Sequence, residues 1–247
     1  MAGLRDSMLG LGISIAVGLV LSSAIISYTA GRISGNKQSV SVKGLAEKAV
    51  SADQARWSVI VQGGATTLPA AFAQLRANRP ALVEFLKQQG FTEKQLAFGR
   101  EEYEVVYKQD EEGRPTREVE QYVASQSVQL ASNDVKRVDA AAGKIVQLVE
   151  SGLPIRVNDP EYLVSTLEAV KMSLIANATR NAHDRATEFA KTGGATVGAM
   201  KSANQGAFYI LPAQGGGSDD DYGGAYDKST IDKIARVVVT VEYAISQ

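Results

Sequence analysis

The sequence predicts a mixed α/β (α+β) fold behind a single apolar helix, on three observations. A 25-residue stretch from Ser7 to Gly31 carries no formal charge, between Arg5-Asp6 and Arg32. Beyond it, period-two runs such as Trp57, Val59 and Val61 read as half-buried strands. Between those runs, Leu68, Ala71, Phe72 and Leu75, and later Leu167, Val170 and Leu174, repeat at helical spacing.

As a helix, the charge-free stretch would be roughly 37 Å long, enough for a bilayer core of ~30 Å. It is read as a transmembrane anchor over residues 1–33, in contact with lipid through residues 7–31. The alternative is a cleaved signal segment with Ser22-Ser23-Ala24 as the small-residue site. Gly10, Ser14, Gly18 and Ser22 recur every fourth residue, a stripe that lets helices approach closely in lipid. Flanking charges nearly balance, so they do not set orientation. The short tail before a long folded region favours a signal-anchor, with the bulk of the chain outside.

Residues 34–38 form a polar linker, and residues 39–247 the folded domain. Val40 and Val42 begin a strand, and Trp57 to Val61 form the next. Gly63-Gly64 ends it, and Thr66 or Thr67 caps a helix running to Gly90, with Pro80 expected to kink or restart it. A long hairpin from Phe98 to Ala131 follows, its tip at Asp110 to Pro115. Asn133 or Asp134 caps a helix with Val135, Val138, Ala142, Ile145, Leu148 and Val149 on one side, stopped by Gly152. Leu153, Ile155 and Val157 start another strand. This order reads β-α-β-β-α-β, the split arrangement of ferredoxin-like units. The helix ends Val83–Phe91 and Ile145–Leu153 echo each other, aligning Leu86 with Leu148, Gly90 with Gly152 and Phe91 with Leu153.

A third helix spans about Thr166 to Lys191, with Leu167, Val170, Leu174, Ala178, Ala182 and Phe189 facing inward. A C-terminal β-hairpin completes the fold, with arms near Gly198–Leu211 and Ala235–Ile245. Its connection, residues 213–230, is rich in Gly and Asp and reads as a flexible loop.

The chemical inventory is sparse. Zero Cys and one His remove thiolate metal sites, redox CxxC centres, cysteine nucleophiles and HExxH chemistry. A net charge of −1 offers no footprint for a nucleic-acid backbone. Asp219, Asp220, Asp221 and Asp227 lack calcium-loop spacing, and His183 has only Thr179 and Thr187 at i±4. Gly193-Gly194 follows a helix and lacks the Lys-Ser/Thr of a phosphate loop. The expectation is no catalytic residue, no metal and no cofactor. The hairpin is the exception. Arms of about a dozen residues, roughly 40 Å long, exceed what covering a helix pair requires, and long projecting arms commonly pair with a neighbouring subunit; the alternative is an ordinary central hairpin. Tyr103, Val105, Tyr107, Val119, Tyr122 and Val123 are the candidate contact residues.

Several stretches resemble the SIMPL-domain family of bacterial envelope proteins, in the branch with an N-terminal apolar segment. They are Val42-Lys43-Gly44-Leu45-Ala46-Glu47, Ala52-Asp53 with Trp57, Ala178-Thr179 with Asn181-Ala182, Phe189-Ala190, Gln205-Gly206, and Arg236 to Tyr243. The similarity runs in order over about residues 38–247. His183 stands where an arginine is expected, Met172 where a proline is expected, and the Gly/Asp-rich loop is longer. The resemblance implies an α/β fold, export across the cytoplasmic membrane, and ring- or channel-like homo-oligomers in some members. It also implies loose links to envelope stress and host immunogenicity, and a eukaryotic relative is a kinase-interacting adaptor. The expectation is a single-pass inner-membrane protein facing the periplasm, non-enzymatic, whose partner is itself. The alternatives are a periplasmic small-ligand or cation-binding module with loop 218–227 as lid, and a hydrolase.

Overall fold

The computed structural model describes residues 38–214 and 225–246, with helical residues 16, 18–25 and 27 before them. It is a mixed α+β structure with two antiparallel sheets. The chain divides into two compact units, each discontinuous in sequence. One contains Glu47–Leu174 and Ala207–Arg236, and the other contains Met1–Ala46, Ile175–Gly206 and Val237–Gln247.

The first unit holds strand β2 (Gln54–Ala65), helix α1 (Leu68–Gln88), strands β3 (Leu96–Gln109) and β4 (Pro115–Ser132), helices α2 (Val135–Lys144) and α3 (Val146–Glu150), and short strands β5 (Ile155–Val157) and β6 (Glu161–Leu163). Its sheet has the order β3-β4-β2-β5, with β6 also on β2. β2 lies antiparallel to β4 from Ala55 opposite Ser132 to Ala65 opposite Tyr122. Alternation puts Ala55, Trp57, Val59 and Val61 on one face with Ala124, Val128 and Leu130, all buried. Leu75, Leu82, Phe85 and Leu86 of α1 and Val138 of α2 join them in the core.

Pro80 does not restart α1, which runs unbroken from Leu68 to Gln88. Proline removes a single N–H from the ladder, and its exposed ring leaves the buried stripe intact. The next helix differs from expectation in the other direction, because it divides at Ile145 into α2 and α3. Asp134 is the N-cap of α2, accepting a hydrogen bond from the Arg137 N–H. Val149, expected inward, is 47% exposed, because in the short helix after the break Leu148 is the side chain that packs on the core. The echo between helix ends has a structural counterpart. Phe91 N–H donates to Leu86 O at 3.1 Å, and Leu153 N–H donates to Leu148 O at 3.1 Å. Both glycines between, Gly90 and Gly152, have φ near +87° (88° and 86°), the left-handed stop that glycine adopts without strain.

The second sheet has the order β1-β8-β7, from β1 (Ser39–Ser51), β7 (Thr196–Pro212) and β8 (Asp232–Ser246). Helix α4 (Leu167–Thr192) buries Val170, Leu174, Ala178, Ala182, Ala186 and Ala190, a stripe of strict four-residue spacing. Phe189 was expected inward but is 62% exposed. The reason is steric, because in the second unit α4 meets a glycine. A Cβ on Gly44 would lie 2.0 Å from Ala178 O and 2.8 Å from Ala182 Cβ, so only small side chains fit that line of the helix.

Among the described residues, no helix is long and apolar enough to cross a membrane. The predicted span falls largely outside them. Gly10 and Ser14 lie outside, whereas Gly18 and Ser22 are helical, with Ser22 Oγ donating to Gly18 O at 2.8 Å. Leu19, Val20, Leu21 and Ile25 beside them are 59–66% exposed.

Candidate functional site

The β3–β4 hairpin is the longest ladder of the first unit, and α1 covers only part of it. α1 packs on β2 and β4, and reaches β3 through three side chains. Phe72 meets Tyr103 edge to face at 6.3 Å, Arg76 pairs with Glu101 at 2.8 Å, and Arg79 lies 5.9 Å from the Phe98 ring centre. Past Tyr103 the ribbon extends beyond these contacts. Its tip is tied by Asp110, which accepts from Glu112 N–H at 3.0 Å and Arg114 N–H at 2.9 Å. The Arg114 backbone N–H hydrogen bond, opposed by desolvation and aided by the Arg114 side chain, holds the Asp110 carboxyl below the usual range.

The six candidate contact residues do not form one patch. Tyr103, Val105 and Tyr107 share a face of β3, and the ladder sets Val105 opposite Tyr122 and Tyr107 opposite Val119. Tyr122 is half-buried against the core, opposite Ala65 of β2. Val123 lies opposite Glu104 and Gly64, on the other face. The exposed apolar members are Tyr103 at 54%, Tyr107 at 44% and Val119 at 39%. Phe98, at 48%, was not among the candidates.

A second feature escaped sequence reading. A cavity of about 550 Å³ opens beside Arg56, with Gln95, Gln129, Asn158, Asp159 and Glu161 around it. Trp57 and Leu130 also line it, and Trp57 Nε1 donates to Asn158 O at 2.8 Å. Glu161 faces Arg56 across the β2–β6 pairing but is bound to Lys228 at 3.1 Å. Arg56 has no ion pair among the described residues, so its guanidinium is free to take an anionic group. No local motif marks this site, because its residues come from four separate segments.

A third feature lies where the acidic loop rejoins β8. Lys233 is fully buried and donates to Asp227 O at 2.7 Å and Asp227 Oδ2 at 3.1 Å. Asp227 also accepts from Ser229 Oγ at 2.7 Å and from Thr230 Oγ1. Burial alone would raise this carboxyl; bonds from Thr230, Ser229 and Lys233 outweigh it and hold the group far below the usual range. The signal was present in the sequence: Lys233 has the parity of Ala235, Val237 and Val239, the inward face of β8. Asp219, Asp220 and Asp221 lie outside the described residues. Among the described residues, no group of three or more His, Asp or Glu side chains could hold a metal ion.

His183 is exposed on α4, its ring edge to face with Tyr243 at 5.4 Å and its Nδ1 4.0 Å from Asp184. The stretches that carried the resemblance meet one another in space. Asn181 Oδ1 accepts from Leu45 N–H at 3.1 Å, and Arg185 donates to Lys43 O at 3.0 Å. Arg236 pairs with Glu47 at 2.6 Å. No curated protein matches the chain. The SIMPL family profile, described as a protein of unknown function (DUF541), matches residues 40–243, and the chain belongs to the SIMPL family.

Proposed function

We propose that this chain is a membrane-anchored, non-enzymatic envelope protein that assembles with itself into a ring or cage. Its anchor is residues 7–31, and its folded domain faces the periplasm. The observation that carries this reading is the hairpin: an edge strand, β3, that extends past α1 with exposed Tyr107 and, opposite, Val119. Long edges with apolar side chains are templates for pairing between chains. The apolar, exposed helical residues at Leu19–Leu21 and Ile25 support the anchor, since such side chains are at home in lipid. A ferredoxin-like unit within the domain is supported by the strand order β3-β4-β2-β5 with α1 and α2 as crossovers. Native mass spectrometry of the full chain in mild detergent tests the assembly. Discrete multimers are expected, and a monomer at micromolar concentration overturns the reading.

A second reading, a small-ligand module, is favoured by the cavity beside Arg56. Its mixed lining suits a small polar molecule with a carboxylate on Arg56 and amide-bonded groups on Gln95 and Gln129. Thermal-shift measurements with a panel of small carboxylates test it. Stabilisation that disappears in Arg56→Ala supports the module, and a flat response across the panel removes it.

A further inference from the structure

The geometry points to self-pairing of β3: two copies of the chain join antiparallel, edge to edge, about a two-fold axis at Val105. This rests on the assembly reading above and gives it a register. β3 ends its sheet, so one edge has no strand partner among the described residues. The ladder irregularities past Val106 place their extra residues on β4, because Val106, Tyr107 and Gln109 oppose Gln121, Val119 and Pro115. β3 itself therefore alternates without interruption from Glu101 to Gln109.

A two-fold axis normal to the sheet keeps the helices of both copies on one side. It also requires opposed residues to point to the same face, which leaves few registers. Centring on Tyr103 sets Glu102 against Glu104. Centring on Glu104 sets that carboxylate against its own copy and Arg100 against Lys108. Centring on Val106 pairs Glu104 with Lys108, but it opposes Tyr103 to Gln109 and Tyr107 to Val105 and carries Glu102 past the end of β3, to Asp110 of the turn. The first two put like charges opposite one another within the strand, which destabilises a pair, and the third leaves both tyrosines without an aromatic partner.

Centring on Val105 opposes Tyr103 to Tyr107, Glu102 to Lys108 and Glu101 to Gln109, each twice by symmetry. Opposite charges meet, and no like charges do. The two tyrosines are 54% and 44% exposed, so their pairing across the junction covers apolar surface that each copy alone leaves in water. Glu102 is exposed and has no ion pair among the described residues. Lys108 is bound to Glu118 at 2.9 Å, but with the two side chains 57% and 74% exposed that bridge is readily exchanged.

The chain has no cysteine, so single cysteines report the register cleanly. In the full chain in mild detergent, Val105→Cys is expected to give a disulfide-linked dimer on gentle oxidation. An equal mixture of Glu102→Cys and Lys108→Cys chains is expected to cross-link more than either alone. Glu102→Lys is expected to weaken association roughly tenfold, from two new like-charge pairs, and Glu102→Lys/Lys108→Glu to restore it. Multimers whose cross-links and charge swaps show no such pattern overturn the register while leaving assembly standing. Light scattering of a monomer at micromolar concentration overturns both.

Discussion

Gly44 lies against Ala178 so closely that a Cβ at position 44 would stand 2.0 Å from the Ala178 carbonyl oxygen. The atom in the way is backbone, and it belongs to a helix whose neighbouring Asn181 is already bonded to Leu45 N–H. Neither side can give way cheaply. Gly44→Ala is expected to destabilise the chain by roughly 1–3 kcal/mol, the usual cost of overpacking. Gly143 is the contrast. It sits exposed at the end of α2 with nothing within 4 Å of a built Cβ and no positive φ. Gly143→Ala is expected to stabilise by about 0.5–1 kcal/mol. Urea unfolding of both variants checks the pair.

Asp227 and Lys233 should respond unequally to mutation. Asp227→Asn leaves a fully buried ammonium without its counter-charge, and puts an amide NH2 in place of one of the two oxygens that accept from Ser229 and Thr230. A loss of about 3–5 kcal/mol is expected. Lys233→Met removes the buried charge and keeps an apolar stem, while Asp227 retains its Ser229 and Thr230 donors. It is expected to cost clearly less. Denaturant titration of the two variants and the double variant gives the coupling directly.

The same carboxylate sets an acid limit. Its folded-state affinity for protons is depressed, so its contribution is complete above the unfolded value of about 4 and is lost as pH falls through the folded-state value. Asp53 acts in the same direction, lowered chiefly by its hydrogen bond from Ser165 Oγ at 2.5 Å. Stability is expected to hold flat from pH 7 to about 5 and fall below pH 4. Asp227→Asn should flatten part of that fall. Thermal melts across pH 3–7 check both slopes.

The one tryptophan is a reporter of the first unit. Trp57 is 2% exposed, packed opposite Leu130 with its indole N–H on Asn158 O. Native emission is expected to be blue-shifted and to move red on unfolding. Trp57→Phe, which loses that hydrogen bond and some packing volume, is expected to cost about 1–3 kcal/mol.

Regular elements were legible where one physical signal dominated. β2 and β8 could be read from alternation alone, because one face of each is buried and the other is not. Helix limits at Gly90 and Gly152 were equally plain. Phe189 was misread because hydrophobicity argues for burial, whereas the line of closest approach at Gly44 admits only alanine. The three-residue strands leave too short a pattern, so β6 went unseen. Arg56 was invisible as a site, since Gln95, Gln129 and Asn158 reach it only through pairings far apart in sequence. Lys233 was legible in principle, from a parity that puts a charge on an apolar face.

Two tyrosines on one strand face differ in what they hold within the chain. Tyr103 packs on Phe72 of α1, so Tyr103→Ser removes an aromatic contact inside the chain, and a loss of about 1–2 kcal/mol is expected. Tyr107 has no such neighbour among the described residues. It lies opposite Val119 where the ribbon extends past α1, and the two side chains are 44% and 39% exposed. Tyr107→Ser/Val119→Ser should therefore leave the melting temperature within about 2 °C of the parent, since exposed substitutions away from packing rarely exceed about 0.5 kcal/mol. If the ribbon joins copies, the same double variant should shift the mass distribution toward monomer. Melting and native mass spectrometry on one preparation decide the matter: unchanged melting with fewer multimers places Tyr107 and Val119 at the junction, and unchanged multimers place the junction elsewhere.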